Sequence, residues 1–242
     1  MKILLLFLIA PGVFLLADAE SETHVNVDIT LMCWDREIDV VYPGHDAEMP
    51  ITVPKQVRSL RFNYEGPSQF LLSEVEEIIG NEEVELTKLA SVEIPSGSKQ
   101  SLVILLKNPA TDSGGFPYRS VIVDDSFEIF PVQSIRFINF TKHELAGRLG
   151  VEDFRLPSEG ESVIFATGSG PPKYLVPFRL ARKVEGANKW RPVRSTIFSL
   201  PPRTRILVLL LENRLQPLEL RFFQLYDYLG PAGQATTEAS DN

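Results

Sequence analysis

Ser91–Asn108, SVEIPSGSKQSLVILLKN, is written twice in this chain: Thr196–Asn213 reads TIFSLPPRTRILVLLLEN. Each copy leads from a short apolar segment through a proline-marked turn into an aliphatic run, and closes on a charged residue followed by Asn. Leu102, Val103, Leu105, Leu106 and Asn108 match Leu207, Val208, Leu210, Leu211 and Asn213 at an offset of 105 residues. An apolar run of this length between turn signals predicts a fully buried strand rather than a helix. Two such strands at a fixed offset predict two copies of one domain.

The segments around the repeat fit short strands. His24–Trp34 alternates Val25, Val27, Ile29 and Leu31 with polar residues, the period of a strand with one buried face. Ile38–Tyr42, Ile51–Val53 and Val57–Tyr64 follow, separated by Pro43-Gly44 and closed by Glu65-Gly66-Pro67-Ser68. Phe70–Ile79 has two readings. Ser73–Glu76 has the form of a helix capping box, and Leu72, Val75, Ile78 and Ile79 fall at helical spacing. The repeat favours the other reading: PSQFLL at 67–72 matches PPKYLV at 171–176, and Pro177 follows at once, which a helix tolerates poorly. Phe70–Ile79 and Val84–Ile94 are therefore expected to form a hairpin, with Tyr118–Asp124 the last strand of the first copy. In the second copy Ser134–Thr141, Glu144–Leu149, Glu161–Thr167, the hairpin Tyr174–Val184 with Trp190–Leu200, Arg203–Glu212 and Leu218–Tyr228 play the same parts.

About seven short strands per copy, with turns every 8–12 residues, predict an all-β chain of two tandem antiparallel β-sandwich domains, Ig-like or jelly-roll-like. The expected boundaries are 20–125 and 126–229. Gly230–Asn242, small and polar, is expected to be disordered. Ahead of the first domain, Met1-Lys2, the apolar Ile3–Leu16 and the A-x-A site Ala17-Asp18-Ala19 have the form of a secretory signal peptide over 1–19. The chain is then expected to be exported, periplasmic or extracellular, with no transmembrane segment. Ser134–Gly150, SIRFINFTKHELAGRLG, resembles a loose group of uncharacterised secreted bacterial proteins built from paired β-domains. The resemblance implies the fold and carries no activity with it.

The net charge of −8 is unevenly distributed. Residues 20–131 hold 8 Lys/Arg against 20 Asp/Glu, and residues 132–229 hold 15 against 9. The sign changes where the repeat places the domain boundary. Opposite charge on equivalent domains suggests two cores that meet through charge, or an acidic hairpin of one molecule meeting the basic hairpin of the next.

Candidate sites are few. Cys33, the only cysteine, sits among Leu31, Met32 and Trp34 and reads as a buried hydrophobe. His45-Asp46-Ala47-Glu48 gathers three potential metal ligands, but in a turn of the sort that is ordinarily solvated, so no metal is expected. Gly168–Pro172 lacks the spacing of a nucleophile elbow or a P-loop and reads as a hairpin loop. Glu74, Glu76, Glu77, Glu82, Glu83 and Glu85 flank a tight turn and read as a solvated edge rather than a carboxylate pair for glycoside hydrolysis. Asn139-Phe140-Thr141 matches a glycosylation sequon inside an expected strand. The matching basic hairpin, Arg179, Arg182, Lys183, Lys189, Trp190, Arg191 and Arg194, is the one candidate binding strip. A negative, exported chain argues against nucleic acid, leaving an acidic envelope polymer, a lipid surface or another protein as partner. No cofactor and no catalytic residue is expected. The reading is a non-catalytic structural, adhesive or macromolecule-binding role in the cell envelope. The alternative is a hydrolase acting on envelope polysaccharide.

Overall fold

The computed structural model describes residues 23–77, 84–108, 115–165, 175–184, 186, 189–212, 220–229 and 235–239. The expected signal peptide and Gly168–Pro172 lie outside these residues. Every regular element described is a strand, and among the described residues no helix is long and apolar enough to cross a membrane.

The first half contributes β1 (His24–Cys33), β2 (Ile38–Val41), β3 (Ile51–Val53), β4 (Phe62–Pro67), β5 (Gln69–Glu77), β6 (Val84–Glu93), β7 (Gln100–Lys107) and β8 (Tyr118–Asp124). The second contributes β9 (Ser134–Asn139), β10 (Leu145–Leu149), β11 (Glu152–Leu156), β12 (Glu161–Phe165), β13 (Leu175–Lys183), β14 (Trp190–Ser199), β15 (Thr204–Glu212) and β16 (Leu220–Leu229). The first half forms the sheets β4-β1-β7-β8 and β3-β2-β5-β6, and the second forms β12-β9-β15-β16 and β11-β10-β13-β14. The two topologies correspond strand for strand, so the chain is two tandem β-sandwiches. Both sandwiches depart from a purely antiparallel plan at one place: β1 pairs parallel to β7, and β9 parallel to β15.

Three details differ from the sequence reading. Val57–Leu60 is loop, and β4 starts at Phe62 and runs through Gly66. Side-chain and backbone bonds to β1 (Ser59 Oγ to the Leu31 amide, 2.8 Å) and an ion pair at Arg58 hold that loop out of the ladder. β11, unforeseen, is the counterpart of β3 and turns Phe154 and Leu156 toward the core. Finally, Ala235–Ala239 of the expected disordered tail forms β17, antiparallel to β16. The open edge of β16 supplies backbone hydrogen bonds whatever the side chains, so composition alone does not exclude a strand there.

Alternation explains the aliphatic runs. Val103 and Leu105 of β7 point into the first sandwich with Val27, Ile29 and Leu31, and Val208 and Leu210 of β15 into the second with Phe137 and Phe178. The intervening residues point the other way. Leu102, Ile104 and Leu106 meet Leu207 and Leu209, with Met32, Val123, Ile138 and Leu225, in a third apolar cluster between the two sandwiches. The sheets thus stack in four layers, the two that hold β1, β7, β9 and β15 inside. Each domain has its own core, but the expectation that opposite charge joins them is corrected: the inner sheets meet through apolar faces. The acidic and basic hairpins lie in the outer layers and do not form this contact.

Charged groups do sit on the seam: buried Arg136 of β9 donates to the Asp124 carbonyl and to Glu161 (2.6 Å), and a second group gathers around Asp125. Arg58 donates to both carboxylate oxygens of Asp125 (2.5 and 3.0 Å). Arg205, from the second sandwich, donates to Asp125 Oδ2 (3.0 Å), to Asp227 Oδ2 (2.7 Å) and to the carbonyls of Asp125 and Phe130 (2.9 Å each). All four side chains of this second group are at most 5% exposed. Asp125 and Asp227 occupy equivalent ends of β8 and β16, whereas Arg58 lies on a loop that is longer in the first copy.

Candidate functional site

The outer sheet of the second sandwich carries the one candidate strip. Most of its inward residues are large and apolar: Leu145, Leu149, Phe178, Leu180 and Phe198 are all buried. Its outward residues fall into cross-strand rows. Asp153, Arg148, Arg179 and Ser195 form one row across β11, β10, β13 and β14. Arg155, Ala146, Ala181 and Pro192 form the next. Beyond them Lys183 pairs with Trp190, and the Lys183 amide donates to the Glu144 carbonyl at 2.9 Å.

The small middle row lies between larger neighbours, so the face is hollowed. A cavity of about 670 Å³ opens over Ala146, Gly147, Ala181 and Pro192, walled by Arg148, Arg179, Arg194 and Ser195. A bulge deepens it. Pairing jumps from Leu180–Arg194 to Ala181–Pro192, and the extra residue, Val193, packs toward the core. Such a bulge bends a strand and increases its twist. Gly147 sits under the trough with no room for a side chain: a Cβ there would lie 2.5 Å from Phe154 Cζ and 2.8 Å from the Arg179 carbonyl oxygen.

The charges on this face are unequally matched. Arg148 grips Asp153 through Nε and Nη2 (2.6 and 2.8 Å) and holds its carboxyl below the ordinary value. Lys183 Nζ donates to Glu144 Oε2 (2.6 Å), which lowers the Glu144 carboxyl too, and Arg155 lies 3.5 Å from the same carboxylate. The Arg155 guanidinium also lies 6.0 Å from the centre of the Trp190 ring, a cation–π distance. Arg179 has no ion-pair partner among the described residues, and it stands directly opposite Arg148. Like charges directly opposed across strands are unfavourable.

Of the sequence candidates, Arg179 and Arg194 line the trough, and Lys183 and Trp190 form the next row along one flank of it. Lys189 and Arg191 are exposed on the outer edge. Arg182 does not belong to the strip. It points to the inner side, is 9% exposed, and its Nη1 lies 3.3 Å from His143 Nε2. Alternation along β13 puts its neighbours Ala181 and Lys183 outside and Arg182 inside. Arg148, Asp153, Arg155, Glu144 and Ser195 were not foreseen. Ser195 lies on β14 beside Arg194, and the other four reach the face from β10 and β11 or their flanks, brought there by the register.

The remaining motifs are engaged elsewhere. Asn139 of the sequon is fully buried; it donates to the His143 and Pro157 carbonyls (2.8 Å each) and accepts from Thr141 Oγ1 (2.7 Å). His45 Nε2 lies 2.8 Å from the Met49 carbonyl, and among the described residues no three metal-ligating side chains converge. Glu74 is held by both terminal nitrogens of Arg36 at 2.6 Å. Glu82 and Glu83, and the side chains of Glu76 and Glu77, lie outside the described residues. Cys33 is buried, and burial pushes its thiol up, away from the reactive thiolate. No protein family and no curated protein matches the chain.

Proposed function

We propose that this is an exported, non-catalytic β-domain protein that holds an anionic macromolecule of the cell envelope on the outer face of its second sandwich. The observation that carries the reading is the trough with Arg148 and Arg179 directly opposed at its wall. An anion placed there gives Arg179 the partner that Arg148 already has in Asp153. The charge distribution supports a single working end, because 20 acidic residues against 8 basic ones in 20–131 repel a polyanion from the first sandwich. The neighbouring exposed cations, Lys189 and Arg191, widen the field at the outer edge.

The test is retention of the full chain on immobilised anionic, neutral and cationic envelope polymers across a salt series, with soluble products assayed in the same samples. Binding confined to the anionic polymers and weakening with salt supports the reading. Release of cleaved polymer overturns it in favour of a hydrolase, and retention on neutral polymer alone removes the role of the charged face.

A further inference from the structure

We propose that the trough is a subsite for a glycan that carries one carboxylate per sugar ring, with Arg179 and Ser195 receiving the carboxylate and the Ala146–Ala181–Pro192 row receiving the flat face of the ring. The inference rests on the reading above and names the class of its ligand.

Four observations point this way. The floor is small and apolar, so a ring can lie on it without displacing a side chain. The trough crosses four strands, three gaps of about 4.8 Å or roughly 14 Å in all, which is a groove for an extended chain rather than a cup for one ion. Only one guanidinium in the row, Arg179, lacks a carboxylate partner among the described residues, since Arg148 is bound to Asp153. Ser195, directly opposite Arg179, offers a hydroxyl beside it.

The flanks of the trough restrict the ligand further. Asp153 stands at one side and Glu144 near the other, both carboxylates with lowered proton affinity that stay charged at neutral pH. Both already hold cations, Asp153 holding Arg148 and Glu144 holding Lys183, so in the row from Asp153 to Ser195 Arg179 is the cation left to receive a negative group. A chain with separated carboxylates can put one on Arg179 and leave uncharged ring surface elsewhere. A guanidinium forks onto a carboxylate through two parallel hydrogen bonds, which fixes the ring as well as attracting it.

The experiment is titration calorimetry of the full chain with an oligouronide, its uncharged methyl ester, and poly(glycerol phosphate). The oligouronide is expected to bind and the methyl ester to fail. Arg179→Ala is expected to weaken binding by about tenfold or more, the loss of a charge-assisted hydrogen bond. Ser195→Ala weakens it less, and Arg61→Ala, which removes the same charge from the first sandwich, leaves it unchanged. Arg179 is exposed, so an unaltered thermal midpoint in the variant shows that the fold is intact. Oligouronide binding that survives Arg179→Ala but is lost in the Lys189→Ala/Arg191→Ala double variant overturns the subsite and leaves the anionic face standing. Binding of the phosphate polymer alone overturns the carboxylate class. If no anionic polymer binds, the subsite and the broader reading fall together.

Discussion

Arg205 holds a full positive charge at 1% side-chain exposure, and its neighbours decide whether that is tolerable. Two carboxylates and two carbonyls complete its shell, and the Phe127 and Phe130 rings lie 4.9 and 4.7 Å from its guanidinium carbon. Removing one member of a buried pair leaves the other without compensation, at a cost of about 3–5 kcal/mol. Arg205→Met is expected to destabilise the protein by that amount in urea titrations. Adding Asp227→Leu is expected to recover part of the loss, because Arg58 and Asp125 still satisfy each other; a double variant weaker than the single one refutes this account. A second test concerns Tyr118, whose hydroxyl donates to Asp35 Oδ1 at 2.9 Å. Burial pushes it up to about 12 from an ordinary 10. The native state therefore favours the protonated form. The contribution is complete below pH 10 and disappears as pH rises from 10 to about 12. Tyr118→Phe should remove a loss on the order of 2 kcal/mol across that window, read from denaturant midpoints at intervals of pH. One trace of the buried cluster is present in the sequence: Arg119 and Asp125 recur as Arg221 and Asp227, 102 residues on. Nothing in it marked Arg58, which has no counterpart in the second copy.

At the scale of the element, the decisive strands are β7 and β15. Leu105→Ala and Leu210→Ala empty the two sandwich cores, and Ile104→Ala and Leu209→Ala empty the cluster between them. Each is expected to cost about 2–5 kcal/mol in chemical unfolding. If the second pair costs less than about 1 kcal/mol, the inner sheets are not packed as described. Gly147→Ala tests the trough: the added methyl meets the Phe154 ring and a backbone carbonyl, neither of which yields cheaply. A loss of roughly 1–3 kcal/mol is expected by thermal or urea unfolding. Buried strands, the hairpin of β5 and β6, and the doubled domain were legible because period-two alternation and repeated turns are local signals. The unbroken aliphatic run also held a message that a one-sided strand does not need: both faces are covered. Which body covers the second face is a tertiary fact, as is the register that lines up Arg148 with Arg179. β17 was illegible for a different reason, since its partner is a backbone edge and not a pattern of side chains.

For the whole molecule, the third apolar cluster couples the two sandwiches. Calorimetry of the full chain is expected to show one transition whose calorimetric and van't Hoff enthalpies agree, the mark of a single cooperative unit. Two resolved transitions would mean that the inner sheets part before either core melts. The contact has a further property. Met32, Leu102, Ile104 and Val123 meet Ile138, Leu207, Leu209 and Leu225, equivalent positions of the two copies. That is the arrangement of a homodimer, here tied through Asp125–Gln133, where the Phe130 amide donates to the Ser126 carbonyl at 2.8 Å. A short tether replaces partner supply by an effective concentration of millimolar order. Separate subunits joined by such a face would drift apart in a large volume. This pair arrives already assembled, and dilution has no hold on it.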